Sequence, residues 1–188
     1  MQHPAQHSVQ QQPGHLATTA AQRGSAPESP NIEVSAVLNG DDIAAVADLF
    51  REYADALGVD LSFQSFDAEL AGLPGDYAPP RGELLVARVD GVVVGCCALR
   101  PLDASDYPNA AEMKRLYVRQ AVRGFGLGRL LTEATLDAAR RAGYSCVLLD
   151  TLDEMEAARA LYEDLGFEEI PPYYHSPLRG THYLRVEL

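Results

Sequence analysis

The chain has 188 residues, 47% of them hydrophobic, enough for one domain with a sizeable core. Its 27 acidic residues against 15 basic ones give a net charge of −12, which argues against non-specific nucleic-acid binding and against attraction to an anionic membrane. The longest apolar stretch, Val92 to Leu99, is far short of the roughly 20 residues that span a bilayer.

Residues 1–31 are rich in Gln, Pro, Ala and Ser, carry only Arg23 and Glu28 as charges, and show no apolar periodicity. They read as a disordered tail, and the folded domain is expected over 32–188. His3, His7 and His15 are too sparse for a metal site, and no metal is expected elsewhere. A first strand is expected around Ile32 and Val34. Asn39-Gly40 is a turn signal, and Asp41 is the expected cap of a helix to Leu57, with Ile43, Val46, Leu49, Phe50 and Tyr53 on one face and Gly58 just past its end. A short helix from Phe66 to Leu73 precedes a loop at Gly75 to Pro80. Strands follow at Glu83 to Val89 and Val92 to Leu99, joined by the hairpin signal Asp90-Gly91. After a polar loop comes a strand from Glu112 to Val118. A glycine-rich turn then opens a helix to Ala142, ended by Gly143, with Leu127, Leu130, Leu131, Ala134 and Ala138 at helical spacing. Cys146 to Asp150 is a strand. Asp153 or Thr151 is the expected cap of a helix to Leu165, and strands at Phe167 to Ile170 and His182 to Val186 close the chain. Short links make the early strands antiparallel, and the helical crossover makes its two flanking strands parallel. The expected fold class is therefore α/β, a mixed, mostly antiparallel sheet of six or seven strands flanked by about four helices.

Cys96, Cys97 and Cys146 give neither a disulfide framework nor zinc-ligand spacing. They read as buried thiols in strands, and a reducing, cytoplasmic compartment is the default.

The strongest local signal is Arg123-Gly124-Phe125-Gly126-Leu127-Gly128-Arg129, between a strand and a helix. Glycine admits positive φ and close approach of a ligand, and the free amides of a helix's first turn attract phosphate. Seven of the fifteen basic residues fall within 112–141, against three acidic ones, which marks an anion-binding region. A tight turn with solvated arginines is the other reading. The glycine spacing and its place after several strands do not fit a dinucleotide fingerprint, and Gly128 is followed by Arg129-Leu130 rather than by the Lys-Ser/Thr of a Walker loop.

Arg123-x-x-Gly126-x-Gly128 resembles the pyrophosphate loop of the GNAT family of N-acetyltransferases. Glu112-Met113-Lys114-Arg115-Leu116-Tyr117-Val118 is similar to that family's preceding strand, and Ala158-Arg159-Ala160-Leu161-Tyr162 through Gly166-Phe167 to its A-x-x-L-Y-x-x-x-G-F pattern. The resemblance covers most of 32–188 and implies a GNAT-like fold, with acetyl-CoA as cosubstrate and a small-molecule or peptide amine as acceptor, attacked in a ternary complex. It implies that Gly124, Phe125, Gly126, Leu127, Gly128 and Arg129 hold the diphosphate, with Arg123 beside them. The backbone of Leu116, Tyr117 and Val118 would pair with the pantetheine in a slot where two strands splay, and Thr151 joins the cofactor contacts. Glu112 is the candidate base, directly or through a water; its other reading is a strand-start residue paired with Lys114 or Arg115. Tyr162 is the candidate acid that protonates the leaving thiolate; its other reading is helix packing. Tyr173, Tyr174 and His175 are expected to border the acceptor, or to pack as a surface loop. Eight acidic residues between Asp150 and Glu169, with Asp60, Asp67 and Glu69, form either a solvated face or a means of steering a cationic amine. A homodimer, common in the family, is a candidate assembly. The rival readings are an acyl-CoA sensor without turnover, or an enzyme for a longer acyl donor.

Overall fold

The computed structural model describes residues 29–37 and 39–188. The tail expected over 1–31 therefore lies almost wholly outside the described residues. Seven strands form one sheet: β1 (Ile32–Ala36), β2 (Glu83–Val89), β3 (Val92–Pro101), β4 (Ala110–Val118), β5 (Cys146–Leu152), β6 (Glu168–Glu169) and β7 (Thr181–Glu187). Their spatial order is β1-β2-β3-β4-β5-β7-β6, and every neighbouring pair is antiparallel except β4 and β5. Four α-helices accompany them: α1 (Gly40–Leu57), α2 (Phe66–Gly72), α3 (Leu127–Arg141) and α4 (Glu156–Asp164). This is the mixed, mostly antiparallel α/β sheet expected from the sequence.

The continuous apolar runs of β2 and β3 follow from burial on both faces, with side chains alternating between them. Leu84, Val86, Cys96 and Ala98 meet Val46, Leu49 and Phe50 of α1. Leu85, Ala87, Cys97 and Leu99 meet Leu127, Leu131 and Ala138 of α3 on the other face. The thiols of Cys96, Cys97 and Cys146 are free and buried; burial pushes the Cys97 thiol up to about 12, out of the range of a nucleophile.

Local details depart from the sequence expectation. Asn39, not Asp41, caps α1, its side chain accepting from the amides of Asp41 and Asp42 at 2.9 and 3.0 Å. The expected loop at Gly75 to Pro80 holds a 3-10 turn over Gly75–Tyr77. Strand β5 runs two residues further than expected, because β7 pairs with it as far as Leu152↔Thr181. Neither Thr151 nor Asp153 caps α4: its N-cap is Met155, without a side-chain cap. Among the described residues no helix is long and apolar enough to cross a membrane.

Two irregularities of β4 shape the centre of the molecule. The parallel pairing of β4 with β5 covers only Ala110↔Cys146, Ala111↔Val147 and Glu112↔Leu148, after which the two strands separate. Against β3, the register passes from Cys96↔Tyr117 to Ala98↔Lys114, so that Arg115 and Leu116 together face one residue. That bulge carries Arg115 at φ +58 and interrupts the in-and-out alternation.

Candidate active site

Beyond Glu112 the edge of β4 that faces β5 has no strand partner, and a cleft opens there. Its walls are Met113 to Leu116 of β4 and Leu149 to Leu152 of β5; Tyr53 and Leu57 of α1, Tyr162 of α4 and Leu178 close it. The bulge sends Lys114 and Arg115 to the same side of the sheet. Arg115 stacks near Phe66 and Tyr53, at 5.2 and 5.8 Å from their ring centres, and makes a two-pronged pair with Glu69 at 3.0 and 2.6 Å. Burial alone would raise the Glu69 carboxyl; the hydrogen bonds and charge of Arg115 outweigh it and hold it below the usual range. Glu69 is thus committed to this pair and to Tyr77, whose hydroxyl donates to it at 2.6 Å, and does not face a ligand as a steering charge.

Glu112 is 2% exposed. Its Oε2 accepts from Arg100 Nε at 2.7 Å, its Oε1 accepts from the Tyr173 hydroxyl at 2.9 Å, and Lys114 Nζ lies 3.6 Å away. Burial works against its charge, but the Lys114 and Arg100 cations outweigh burial and hold the carboxyl below its ordinary value. Of the pairings foreseen for Glu112, Lys114 is present; Arg115 belongs to Glu69, and Arg100 takes the other place. Glu112 does not line the cleft.

Tyr162 does line it, from the buried face of α4, with its ring 5.5 Å from that of Phe167. Burial, then the neighbouring Cys97, Tyr53 and Asp150, push its phenol well above the ordinary range, so it is protonated at neutral pH. Tyr53 is pushed up to about 12, chiefly by burial. Thr151 is buried on the β5 wall, its Oγ1 3.6 Å from the Met155 sulfur. Leu116 lines the cleft, while Tyr117 and Val118 continue the unpaired β4 edge toward the glycine loop.

At the end of that edge, Gly124 and Gly126 adopt φ +94 and +76, and Gly126 is the N-cap of α3. The first amide held by the helix is that of Leu130, bonded to Gly126 O at 3.1 Å. Among the described residues, the amides of Gly124 to Arg129 have no acceptor, so they can hold a diphosphate at the positive end of the helix. The excess of basic residues plays a smaller part than their count implies. Lys114, Arg115, Arg119, Arg129, Arg140 and Arg141 are all ion-paired, and Arg123 Nε donates to Val118 O at 3.0 Å, tying the loop to the strand end. The side chain of Leu127 is buried in the core, and that of Phe125 is half exposed.

The loop after β6 divides its residues between two environments. Tyr173 turns inward to Glu112, and its ring lies 5.3 Å from that of Tyr174 and 5.4 Å from that of Tyr183. Tyr174 and His175 line a second, outer hollow that shares Leu178 with the cleft. Asp150, Lys114 and Tyr53 entered the sequence reading as the start of an acidic run, a possible partner of Glu112 and a helix-face residue, not as residues of the cleft they line. The usable signal was a cation and a carboxylate on the two strands that flank the helical crossover.

Comparison with known proteins follows this geometry. The family model described as "Acetyltransferase (GNAT) family" matches residues 43–167. An uncharacterized N-acetyltransferase of Schizosaccharomyces pombe is 42% identical over 159 residues, covering 84% of this chain and 96% of that protein. An acetyltransferase structure from Streptococcus agalactiae superposes with a TM-score of 0.68 at 23% identity, covering 84% of this chain and 98% of its own. The structure of yncA from Salmonella typhimurium, a putative acetyltransferase with its cofactor acetyl-CoA, superposes with a TM-score of 0.59 at 21% identity over 84% and 94%.

Proposed function

The chain belongs to the GNAT acetyltransferase family and is an acetyl-CoA-dependent N-acetyltransferase, and from this premise we propose that an amine attacks the thioester directly, in a ternary complex seated in the cleft between β4 and β5. The observation that carries this reading is the separation of the parallel strands after three paired residues, with Tyr162 at the opening and the free amides of Gly124 to Arg129 at its outer end. The amides hold the diphosphate, with Arg123 fixing the loop. The unpaired edge at Leu116, Tyr117 and Val118 takes the pantetheine as an added strand. Thr151 faces it from β5. The bulge at Arg115 turns backbone toward the cleft, where an N–H of Leu116 or Tyr117 polarises the thioester oxygen.

Tyr162 is the general acid. Its burial keeps the phenol protonated and equally disfavours a bare thiolate beside it, so transfer of its proton to sulfur is matched. Glu112, bonded on both oxygens, acts as a positioning residue: it holds Tyr173 and balances Lys114 at the head of the cleft. The acceptor enters from the side of the outer hollow, past Leu178. The free cysteines are in keeping with a reducing compartment and support a cytoplasmic reading, with residues 32–188 as the catalytic domain.

The test is calorimetric titration with acetyl-CoA, with ATP and NAD as controls, followed by a thiol-release screen of primary amines. Micromolar binding of acetyl-CoA and amine-dependent thiol release are expected. Binding without release for any amine would favour a sensor of acyl-CoA, and absence of binding would remove the basis of the site.

A further inference from the structure

Resting on that reading, we infer that Asp150, not Glu112, is the carboxylate that takes the proton from the acceptor amine. Among the described residues that line the cleft, Asp150 is the one acid. Its side chain is 19% exposed, against 2% for Glu112, so a ligand can reach it. Register puts it there: Leu148 is the last β5 residue paired with β4, and Asp150, two residues on, shares its face of the sheet where the strands have parted.

The second consideration is bonding capacity. Glu112 has Arg100 on one oxygen and Tyr173 on the other, so it cannot take a proton without breaking a buried network. Asp150 has looser partners: Lys114 Nζ at 3.7 Å, which is beyond hydrogen-bond length, and the Tyr174 hydroxyl, which interacts with its carboxylate. The phenols of Tyr53, Tyr162, Tyr173, Tyr174 and Tyr183 all lie close enough for its charge to raise them. The groups that face Asp150 are therefore Lys114 from β4, Tyr53 from α1, Tyr162 from α4, Tyr173 and Tyr174 from the loop and Tyr183 from β7. None of these clamps both Asp150 oxygens in the way Arg100 and Tyr173 clamp those of Glu112.

The step balances. The ammonium of the acceptor gives one proton to an Asp150 oxygen and becomes a free amine. Its nitrogen lone pair forms the bond to the thioester carbonyl carbon. The carbon–sulfur bond then breaks, with its electron pair leaving on sulfur. Tyr162 supplies the proton to that sulfur and is reprotonated by the second proton released from nitrogen, while Asp150 returns its proton to solvent.

The experiment compares wild type, Asp150→Asn and Asp150→Glu in the thiol-release assay, with acetyl-CoA affinity measured for each. Asp150→Asn is expected to lower kcat by about 100-fold or more and to bind acetyl-CoA within about twofold of wild type. The deficit should shrink as pH rises, because the amine then loses its proton unaided, and Asp150→Glu should recover part of the rate. A purely structural role would not give that pH-dependent recovery. Turnover of Asp150→Asn within about threefold of wild type, or a deficit unchanged across pH, would overturn the assignment while leaving the acetyltransferase reading intact. Wild type that releases no thiol with any amine would overturn both.

Discussion

Lys114 Nζ lies 3.6 Å from the Glu112 carboxylate on its own strand and 3.7 Å from that of Asp150 on β5, spanning the gap just where ladder pairing between the two strands has ended. One ammonium thus balances two poorly solvated carboxylates. Lys114→Met would leave Asp150 without this cation and Glu112 with Arg100 alone, and breaking such a buried pair costs about 3 kcal/mol. Urea unfolding should show that loss at neutral pH; a loss below about 0.5 kcal/mol would mean that solvent reaches these groups in solution.

The three glycines of the loop separate by geometry. Gly124 and Gly126 sit at positive φ with no atom near where a Cβ would stand, so alanine there costs backbone strain rather than a clash. At Gly128 φ is unexceptional and a Cβ would meet Leu161 at 3.7 Å, an ordinary contact. Gly126→Ala should weaken acetyl-CoA binding by about tenfold, in keeping with the ~1–2 kcal/mol cost of a left-handed residue, whereas Gly128→Ala should fold and bind close to wild type. Equal affinities for the two variants in calorimetry would contradict a diphosphate held by the shape of this turn.

Tyr162→Phe removes one hydroxyl from the cleft wall and leaves the ring packing against Phe167. It should retain acetyl-CoA affinity and lose about 100-fold in kcat. Unchanged kcat would assign the residue to packing alone.

His182 on β7 lies between Glu169 and Asp153, at 2.9 and 2.6 Å. The hydrogen bond to Asp153, then that to Glu169, raises its pKa above the ordinary 6.5. A raised histidine stabilises the fold fully below the unfolded value, and that contribution is lost as pH rises through the folded value. The melting temperature of His182→Gln should therefore trail wild type more at about pH 6 than at about pH 9. A gap that is constant with pH would mean that His182 is not protonated in this contact.

Much of the fold was legible because it rests on local pattern. The Asp90-Gly91 hairpin, the α3 periodicity with Gly143 beyond it and the parallel β4–β5 crossover follow from turn chemistry, helical spacing and handedness. The glycine loop and Tyr162 were legible as residue types in a fixed order. The local competition between Asn39 and Asp41 for the α1 cap went to the residue whose carbonyl oxygen reaches two amides. What escaped was set by contacts between distant segments. The bulge at Arg115 shows only in the register with β3, and it brings Arg115 to Glu69 across 46 residues. Tyr173 reaches Glu112 across 61 residues and donates to its carboxylate, a contact with no local signal. The basic cluster at 112–141 is neutralised largely by acids that the chain supplies from elsewhere, Glu52 and Glu69 among them.

Hydrogen–deuterium exchange of the full chain with and without acetyl-CoA tests the central claim most directly, since it reports which backbone amides the cosubstrate covers. Protection confined to the β4 edge around Leu116 to Val118 and to the loop from Gly124 to Leu130 is the predicted result. Protection elsewhere, or none at saturating acetyl-CoA, would contradict the placement of the cosubstrate in the cleft between β4 and β5.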